Sequence, residues 1–252
     1  MSRVLLNHFY ATPDRDTFAA AEETLPRLGA LEKRTTVRKD ATYTGLYLYG
    51  EHTYLEVLHP DSASFGAPSG IAYGVEDRGG LETLIGALPS PKLEEIARGE
   101  VPWFRSLRSG QPLEGLAEWV MEYLPAFFRG FHAELPPAHP GIARSDALTR
   151  YAASCGKLRE RAEGLFEDVA AIEIALAPSD WERWRSRALR VEGADLRVIQ
   201  ALPGAPAGVV AAWLRLRRDG GRSTERIGST TLALDGKNAV WRFQRGLHGE
   251  RP

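Results

Sequence analysis

The sequence predicts an α+β protein built from strand-helix-strand-strand-strand (βαβββ) units, whose curved, mostly antiparallel sheets surround an open cleft. Three observations carry this. The first 60 residues hold four short strand-like stretches, with one helix-spaced stretch after the first. The opening order of strand, acidic turn and helix is echoed at Gly70 and more faintly at Val169. Breaks rich in Ser, Ala, Gly and Pro separate the echoes.

The first unit covers residues 1–60. A strand is predicted over 4–11, ending in Thr12-Pro13-Asp14, whose Asp can cap a helix. Phe18, Ala21, Leu25 and Leu28 recur at helical spacing over 16–28, and Gly29 ends the run. Residues 31–38 are rich in Thr and Val and read as a strand; Lys39-Asp40-Ala41 reads as a turn. Two more strands follow over 43–49 and 52–58, joined at Gly50.

A second, degenerate unit is expected over 70–135. It opens with a strand at 70–76, an Asp77-Arg78-Gly79-Gly80 turn and a short helix at 81–88. Residues 92–98 read as another short helix, and 103–108 and 118–124 as strands. On the last of these, Trp119, Met121 and Tyr123 share one face, and Glu122 lies on the other. Residues 125–132 are aromatic and fit more than one state.

Pro136-Pro137-Ala138-His139-Pro140-Gly141 is the clearest break. The third unit, 145–252, opens with an amphipathic helix over 145–164, with Leu148, Tyr151, Ala152, Cys155 and Leu158 on one stripe. An apolar strand at 169–177 around Glu173, a helix from Asp180 with Trp181 and Trp184, strands at 196–202 and 209–217, and a hairpin across Asp235-Gly236-Lys237-Asn238 complete it. One compact globular protein is expected.

Composition narrows the function classes. With 43% apolar and 26% charged residues, the 252-residue chain is ordinary for a globular protein. A net charge of −1 gives no electrostatic reason for a nucleic-acid or anionic-membrane partner. No apolar run approaches the ~20 residues of a membrane-spanning helix, and the N-terminus reads as a strand, not a signal peptide. The single cysteine, Cys155, suits a cytoplasmic protein and reads as a small helix residue, not a nucleophile. The excess of Arg over Lys, with abundant Ala, Gly and Pro, fits a GC-rich bacterial source. Phosphate-binding, dinucleotide-binding, serine-hydrolase and zinc-protease motifs are missing from the sequence.

The chemistry converges on Glu56. Alternation puts Tyr54, Glu56 and Leu58 on one side of their strand and Leu55 and Val57 on the other. An ionised carboxylate between such neighbours needs a partner. His8, in the first strand with Leu6 and Tyr10 on its own face, is one candidate; one of the many arginines is the alternative. A lone strand histidine is more often a hydrogen-bonded core residue. Tyr43, Tyr47 and Tyr49 share a strand face and either line an aromatic cleft or form core.

Leu6-Asn7-His8-Phe9-Tyr10 and Tyr54-Leu55-Glu56-Val57, on the first and last strands of a βαβββ order, resemble the repeat of the vicinal oxygen chelate superfamily. That superfamily includes glyoxalase I, extradiol dioxygenases, epimerases and bleomycin-binding resistance proteins, and the first unit is similar to a group of bacterial glyoxalase-like proteins. The resemblance implies a small-molecule enzyme of isomerase, lyase or oxygenase type, with one divalent metal ion held by His8 and Glu56. It covers about the first 60 residues well and 70–88 fairly. The strand Ile71-Ala72-Tyr73-Gly74-Val75 carries no His or Glu at the ligand position; Glu122, His132, His139 and Glu173 are the candidates to complete a site. Two other readings stand beside the metalloenzyme: a metal-free binding or resistance protein whose ligand meets Tyr43, Tyr47, Tyr49, Tyr54 and Trp119, and a metal-free enzyme using Glu56 and His8 in acid–base catalysis. The expected partner is a small molecule, and a homodimer is left open.

Overall fold

The computed structural model describes residues 2–37, 42–62, 66–137, 142–187, 189–202 and 204–243. The expected turn at 39–41 and His139 lie outside these residues.

The first unit follows the expected order: β1 (Leu5–Ala11), α1 (Arg15–Thr24), β2 (Ala30–Val37), β3 (Thr42–Tyr49) and β4 (Tyr54–Leu58). Asp14 caps α1 by accepting from the Thr17 amide at 2.7 Å. A 3₁₀ turn, Leu25–Leu28, carries the helix into Gly29 and seats Leu25 and Leu28 in the core. The second unit repeats the plan with β5 (Ser69–Val75), a 3₁₀ turn (Leu81–Ala87), β6 (Lys92–Arg98), β7 (Val101–Arg108) and β8 (Leu116–Tyr123). Residues 92–98 are therefore a strand and not the expected helix. Lys-Leu-Glu-Glu-Ile-Ala-Arg is made of good helix formers, but antiparallel pairing to β7 along an exposed sheet edge overrides that propensity.

Both units share one eight-stranded sheet of order β2-β3-β4-β1-β5-β8-β7-β6. β1 and β5 meet antiparallel at its centre, β4 runs parallel to β1, and β8 runs parallel to β5. The order reads the same from either edge, so the two units are related by a pseudo-twofold axis between β1 and β5. This is the α+β, glyoxalase-like arrangement of paired βαβββ units.

After β8 come α2 (Pro125–Gly130), α3 (Arg144–Ser154) and α4 (Leu158–Glu163). The helix expected over 145–164 is thus two, broken at Gly156, whose φ of +70° lies in the left-handed region. The chain closes with β9 (Phe166–Leu176), α5 (Pro178–Ser186), β10 (Asp195–Gln200), β11 (Gly208–Leu216), β12 (Arg222–Ile227), β13 (Thr230–Asp235) and β14 (Asn238–Arg242). These strands form a second sheet of order β10-β9-β11-β14-β13-β12. Here β10 pairs directly and in parallel with β9, so this unit shares the opening strand and helix but not the βαβββ connectivity.

The two faces of the large sheet have different fates. Leu6, Phe9, Leu46, Leu48, Leu55, Val57, Ile71, Tyr73 and Val120 form one core with α1 residues and with Ile172, Ile174, Ala212 and Trp241 of the second sheet. The opposite face carries Tyr47, Tyr49, Tyr54, Ala72, Met121 and Tyr123, packed against Phe127, Phe128, Leu148 and Tyr151 from α2 and α3. The helices cover only part of it. Towards Tyr10, Tyr43, Leu58 and Trp119 the face remains open as a cleft. Among the described residues, no helix is long and apolar enough to cross a membrane.

A candidate acid–base site in the cleft

The cleft holds about 60 Å³ and is lined by His8, Tyr43, Tyr54, Glu56, Trp103, Phe104, Arg108, Trp119, Met121 and Tyr151. A larger cavity of about 780 Å³ lies elsewhere, by α5 and residues 200–202 and 204–207, but Glu114 is the one charged residue among its described lining. The smaller cleft is where titratable groups converge.

His8 reaches this face through an irregularity. The β1–β5 register slips between Leu6 and His8, so that Leu6 pairs with Tyr73 and His8 with Ala72. This bulge leaves Asn7 as an extra residue and breaks the alternation. Leu6 therefore packs in the core behind the sheet, not on the His8 face as strict alternation predicts. The Asn7 and His8 side chains meet instead: His8 Nδ1–H donates to Asn7 Oδ1 at 2.8 Å. That bond leaves Nε2 as the lone-pair nitrogen, 3.6 Å from Glu56 Oε1. Tyr54 stacks on the imidazole with ring centroids 4.3 Å apart, and Trp119 meets it edge-on at 5.4 Å.

β4 presents Glu56 as alternation requires, two residues beyond Tyr54 on the same face. Both partners are buried, His8 at 4% and Glu56 at 8% exposure. Burial disfavours charge on each. It pushes the Glu56 carboxyl up to about 7, against smaller opposing effects of the Arg34 charge and a hydrogen bond from Tyr54. It pushes the His8 imidazole down to about 3. The pair thus holds one proton through mildly acidic pH, on Glu56 and not on His8. Tyr10, Tyr47 and Tyr54 have pKa values raised first by burial and then by the Glu56 charge, so they stay neutral hydroxyls.

A chain of polar contacts runs behind His8. Trp103 Nε1–H donates to Tyr151 Oη at 2.7 Å, and Tyr151 Oη–H to Tyr123 Oη at 3.3 Å. Tyr123 in turn interacts with Asn7. Residues from β1, β7, β8 and α3 thereby fix the imidazole plane and its tautomer. Arg34 stacks 4.1 Å over the Tyr47 ring and pairs with Glu32 at 2.9 Å; Tyr49 Oη–H also donates to Glu32. Tyr47 and Tyr49 are accordingly wall residues held in place, whereas Tyr43, Tyr54 and Trp119 line the open volume.

The remaining sequence candidates lie away from this pair. Glu122 points to the other face of β8, where it accepts from the Gly79 and Leu81 amides at 3.0 and 3.2 Å and pairs with Arg105 at 2.9 Å. Glu173 sits on β9 of the second sheet, in register with Arg197. His132 pairs with Glu134 at 2.7 Å beyond α2. Arg108 and Tyr151 complete the site from elements remote in sequence; helical spacing marked Tyr151 only as a packing residue.

The resident divalent metal implied by the resemblance can be tested on the donor set. His8 and Glu56 provide two donors. The pseudo-twofold maps His8 onto Ala72 and Glu56 onto Met121, from the pairings His8–Tyr54 and Ala72–Trp119. Neither is a hard-cation ligand. Among the described residues, no group of three or more His, Cys, Asp or Glu side chains could hold a metal. The described residues do not fit a resident metal centre.

A family profile described as a family of unknown function, DUF5829, matches residues 6–202. The chain belongs to that family. The match spans both units of the large sheet, α3 to α5 and the start of the second sheet, so it includes every residue of the cleft. No curated protein matches the chain. Among solved structures, a xylose isomerase-like TIM barrel/4-hydroxyphenylpyruvate dioxygenase fusion protein is similar to 83% of this chain at 15% identity, with a TM-score of 0.44. The chain spans about a third of that protein, 36% of its length, and a likeness this distant assigns no activity.

Proposed function

We propose that this DUF5829 protein is a small-molecule enzyme of glyoxalase-like fold in which Glu56, positioned by His8, performs metal-free proton transfer. One observation carries the reading: a buried carboxylate facing the lone pair of a neutral, tautomer-fixed histidine on the floor of an aromatic cleft. A general base works best when its pKa lies near the working pH, and burial places Glu56 at about 7. The chemistry this suits is abstraction of a proton from carbon next to a carbonyl. Ionised Glu56 takes the proton, the C–H electron pair forms a new C=C bond as the carbonyl π pair moves onto its oxygen, and on collapse of this enolate the proton held on Glu56 returns to the same or a neighbouring carbon. Isomerisation follows if it returns elsewhere, and elimination if a leaving group departs first. His8 acts as a positioning residue: its neutral Nε2 faces the protonated carboxyl as a hydrogen-bond acceptor and keeps Glu56 aimed into the cleft.

The test is solvent exchange. The purified chain is incubated in D₂O with a set of small 2-oxo and 2-hydroxy carbonyl compounds, and deuterium entry at carbon is followed by NMR. The parent is expected to catalyse exchange with at least one of them and Glu56→Gln to abolish it. Exchange that survives in Glu56→Gln, or no exchange by the parent, contradicts the proposal.

A further inference from the structure

Arg108 ends β7 and is the only cation among the described residues lining the cleft. The arginines around the site are committed elsewhere: Arg34 to Glu32, Arg105 to Glu82 and Glu122, and Arg187 to Glu118. Arg108 has no carboxylate partner among the described residues. Its guanidinium lies 5.4 Å from the Trp119 ring centroid, and its Nε–H reaches Ser106 Oγ at a long 3.4 Å. The terminal nitrogens make no described hydrogen bond. A guanidinium within cation–π reach of an indole, lining a cavity and with its fork unspent among the described residues, has the form of a bidentate carboxylate receptor.

Arg108 and Glu56 also face a common neighbour. The Tyr10 hydroxyl feels both: its pKa is raised mainly by burial, then further by the Glu56 charge, and is lowered by that of Arg108. A ligand in this volume therefore meets a cation at one end and a proton-transfer group at the other. The cleft's 60 Å³, at ~10–15 Å³ for each water-sized group, admits about four to six such groups. Phe104, Trp119 and Met121 supply an apolar wall between the two ends.

We infer that the cleft takes a small monocarboxylic acid, its carboxylate bound by Arg108 and its carbon chain lying against Trp119 and Met121 towards Glu56. The Glu56 end of this assignment rests on the acid–base reading above; the Arg108 end stands on a guanidinium that lines the cleft and has no carboxylate partner among the described residues.

The experiment is calorimetric titration of the full chain with 2-oxo and 2-hydroxy acids of two or three carbons, about five or six non-hydrogen atoms, each paired with its primary amide, a neutral isostere. A charge-assisted bidentate contact predicts that at least one acid binds the parent roughly ten- to a hundredfold more tightly than its amide. Arg108→Gln should erase that preference, and Arg108→Lys, which keeps the charge but not the fork, should reduce it. Circular dichroism and the unfolding midpoint check that each variant folds; if Arg108→Gln does not, an unchanged preference in Arg108→Lys overturns the assignment. It is also overturned if no acid outbinds its amide in the parent, or if the preference survives in Arg108→Gln. An Arg108-dependent preference without deuterium exchange would leave the carboxylate site standing and remove the acid–base reading.

Discussion

Replacing Glu56 by Gln removes the carboxylate charge but keeps the side chain's shape, and its effect on stability must depend on pH. The folded-state pKa of Glu56 is about 7 against an ordinary 4.5. Between these values the folded chain holds more protons than the unfolded chain, so its stability falls as pH rises. The contribution of Glu56 is full below about pH 4.5 and lost as pH climbs through 7. At ~1.4 kcal/mol per pH unit, the loss between about pH 5 and pH 8 is roughly 2–3 kcal/mol. His8 works in the opposite sense: its pKa is lowered to about 3 from 6.5, so its contribution is present above 6.5 and lost as pH falls through 3. That term is largely common to parent and variant and drops out of their difference. Glu56→Gln should therefore be close to the parent in stability near pH 5 and more stable by roughly 2–3 kcal/mol near pH 8. Urea denaturation followed by tryptophan fluorescence reads this as a midpoint that rises at pH 8 with an unchanged slope. A difference that is the same at both pH values, or that favours the parent at pH 8, would refute a buried Glu56 with a raised pKa.

The structure implies three further outcomes. Asp168 joins the two sheets by accepting from the His52 and Thr53 amides, both at 2.8 Å, from Thr53 Oγ1 at 3.0 Å and from His52 Nδ1 at 3.1 Å; Asp168→Ala should cost about 3 kcal/mol in urea denaturation. Hydrogen bonding raises the His52 pKa, so that contribution is present below the ordinary 6.5 and lost as pH rises through the folded value; the same contacts lower that of Asp168 below 3.8 against the cost of burial, so its contribution is lost as pH falls through the folded value. The cost of Asp168→Ala should accordingly be largest at mildly acidic pH. A Cβ on Gly70 would stand 2.3 Å from Tyr10 Cε1 and 3.0 Å from the Ala117 carbonyl, so Gly70→Ala should displace the Tyr10 ring, lower stability by about 1–3 kcal/mol and weaken acid binding in the titration above. Finally, elemental analysis of protein purified without a nickel column should find less than stoichiometric metal, and chelator treatment should leave deuterium exchange unchanged; stoichiometric metal lost in His8→Ala would restore a metal centre.

Side-chain alternation made the essential pairing legible. It put Tyr54, Glu56 and Leu58 on one face of β4 and Leu55 and Val57 on the other, where the structure has them. The first unit's element order could be read because its strand and helix periods are clean and its turns carry Asp14, Gly29 and Gly50. Residues 92–98 misread as helix because propensity is local, whereas an edge strand is decided by a partner across the sheet. The bulge beside His8 was hidden too: nothing in Leu6-Asn7-His8 shows that β1 slips against β5, yet the slip brings Asn7 to the imidazole. Arg108 and Tyr151 join the cleft through long-range pairing and helix packing, which single-chain periodicity does not encode. The missing half of a metal site was visible in Ile71-Ala72-Tyr73-Gly74-Val75, and the register then identified Ala72 and Met121 as the counterparts of His8 and Glu56.

The protonation of the His8–Glu56 pair can be observed directly. In protein carrying δ-¹³C glutamate and ¹⁵N histidine, NMR across the pH range should show the Glu56 carboxyl carbon titrating near 7. His8 should remain a neutral imidazole with hydrogen on Nδ1 down to strongly acidic pH. A Glu56 carboxyl that titrates at its ordinary 4.5, or a His8 that is cationic at neutral pH, would contradict the shared-proton pair on which the proposed chemistry depends.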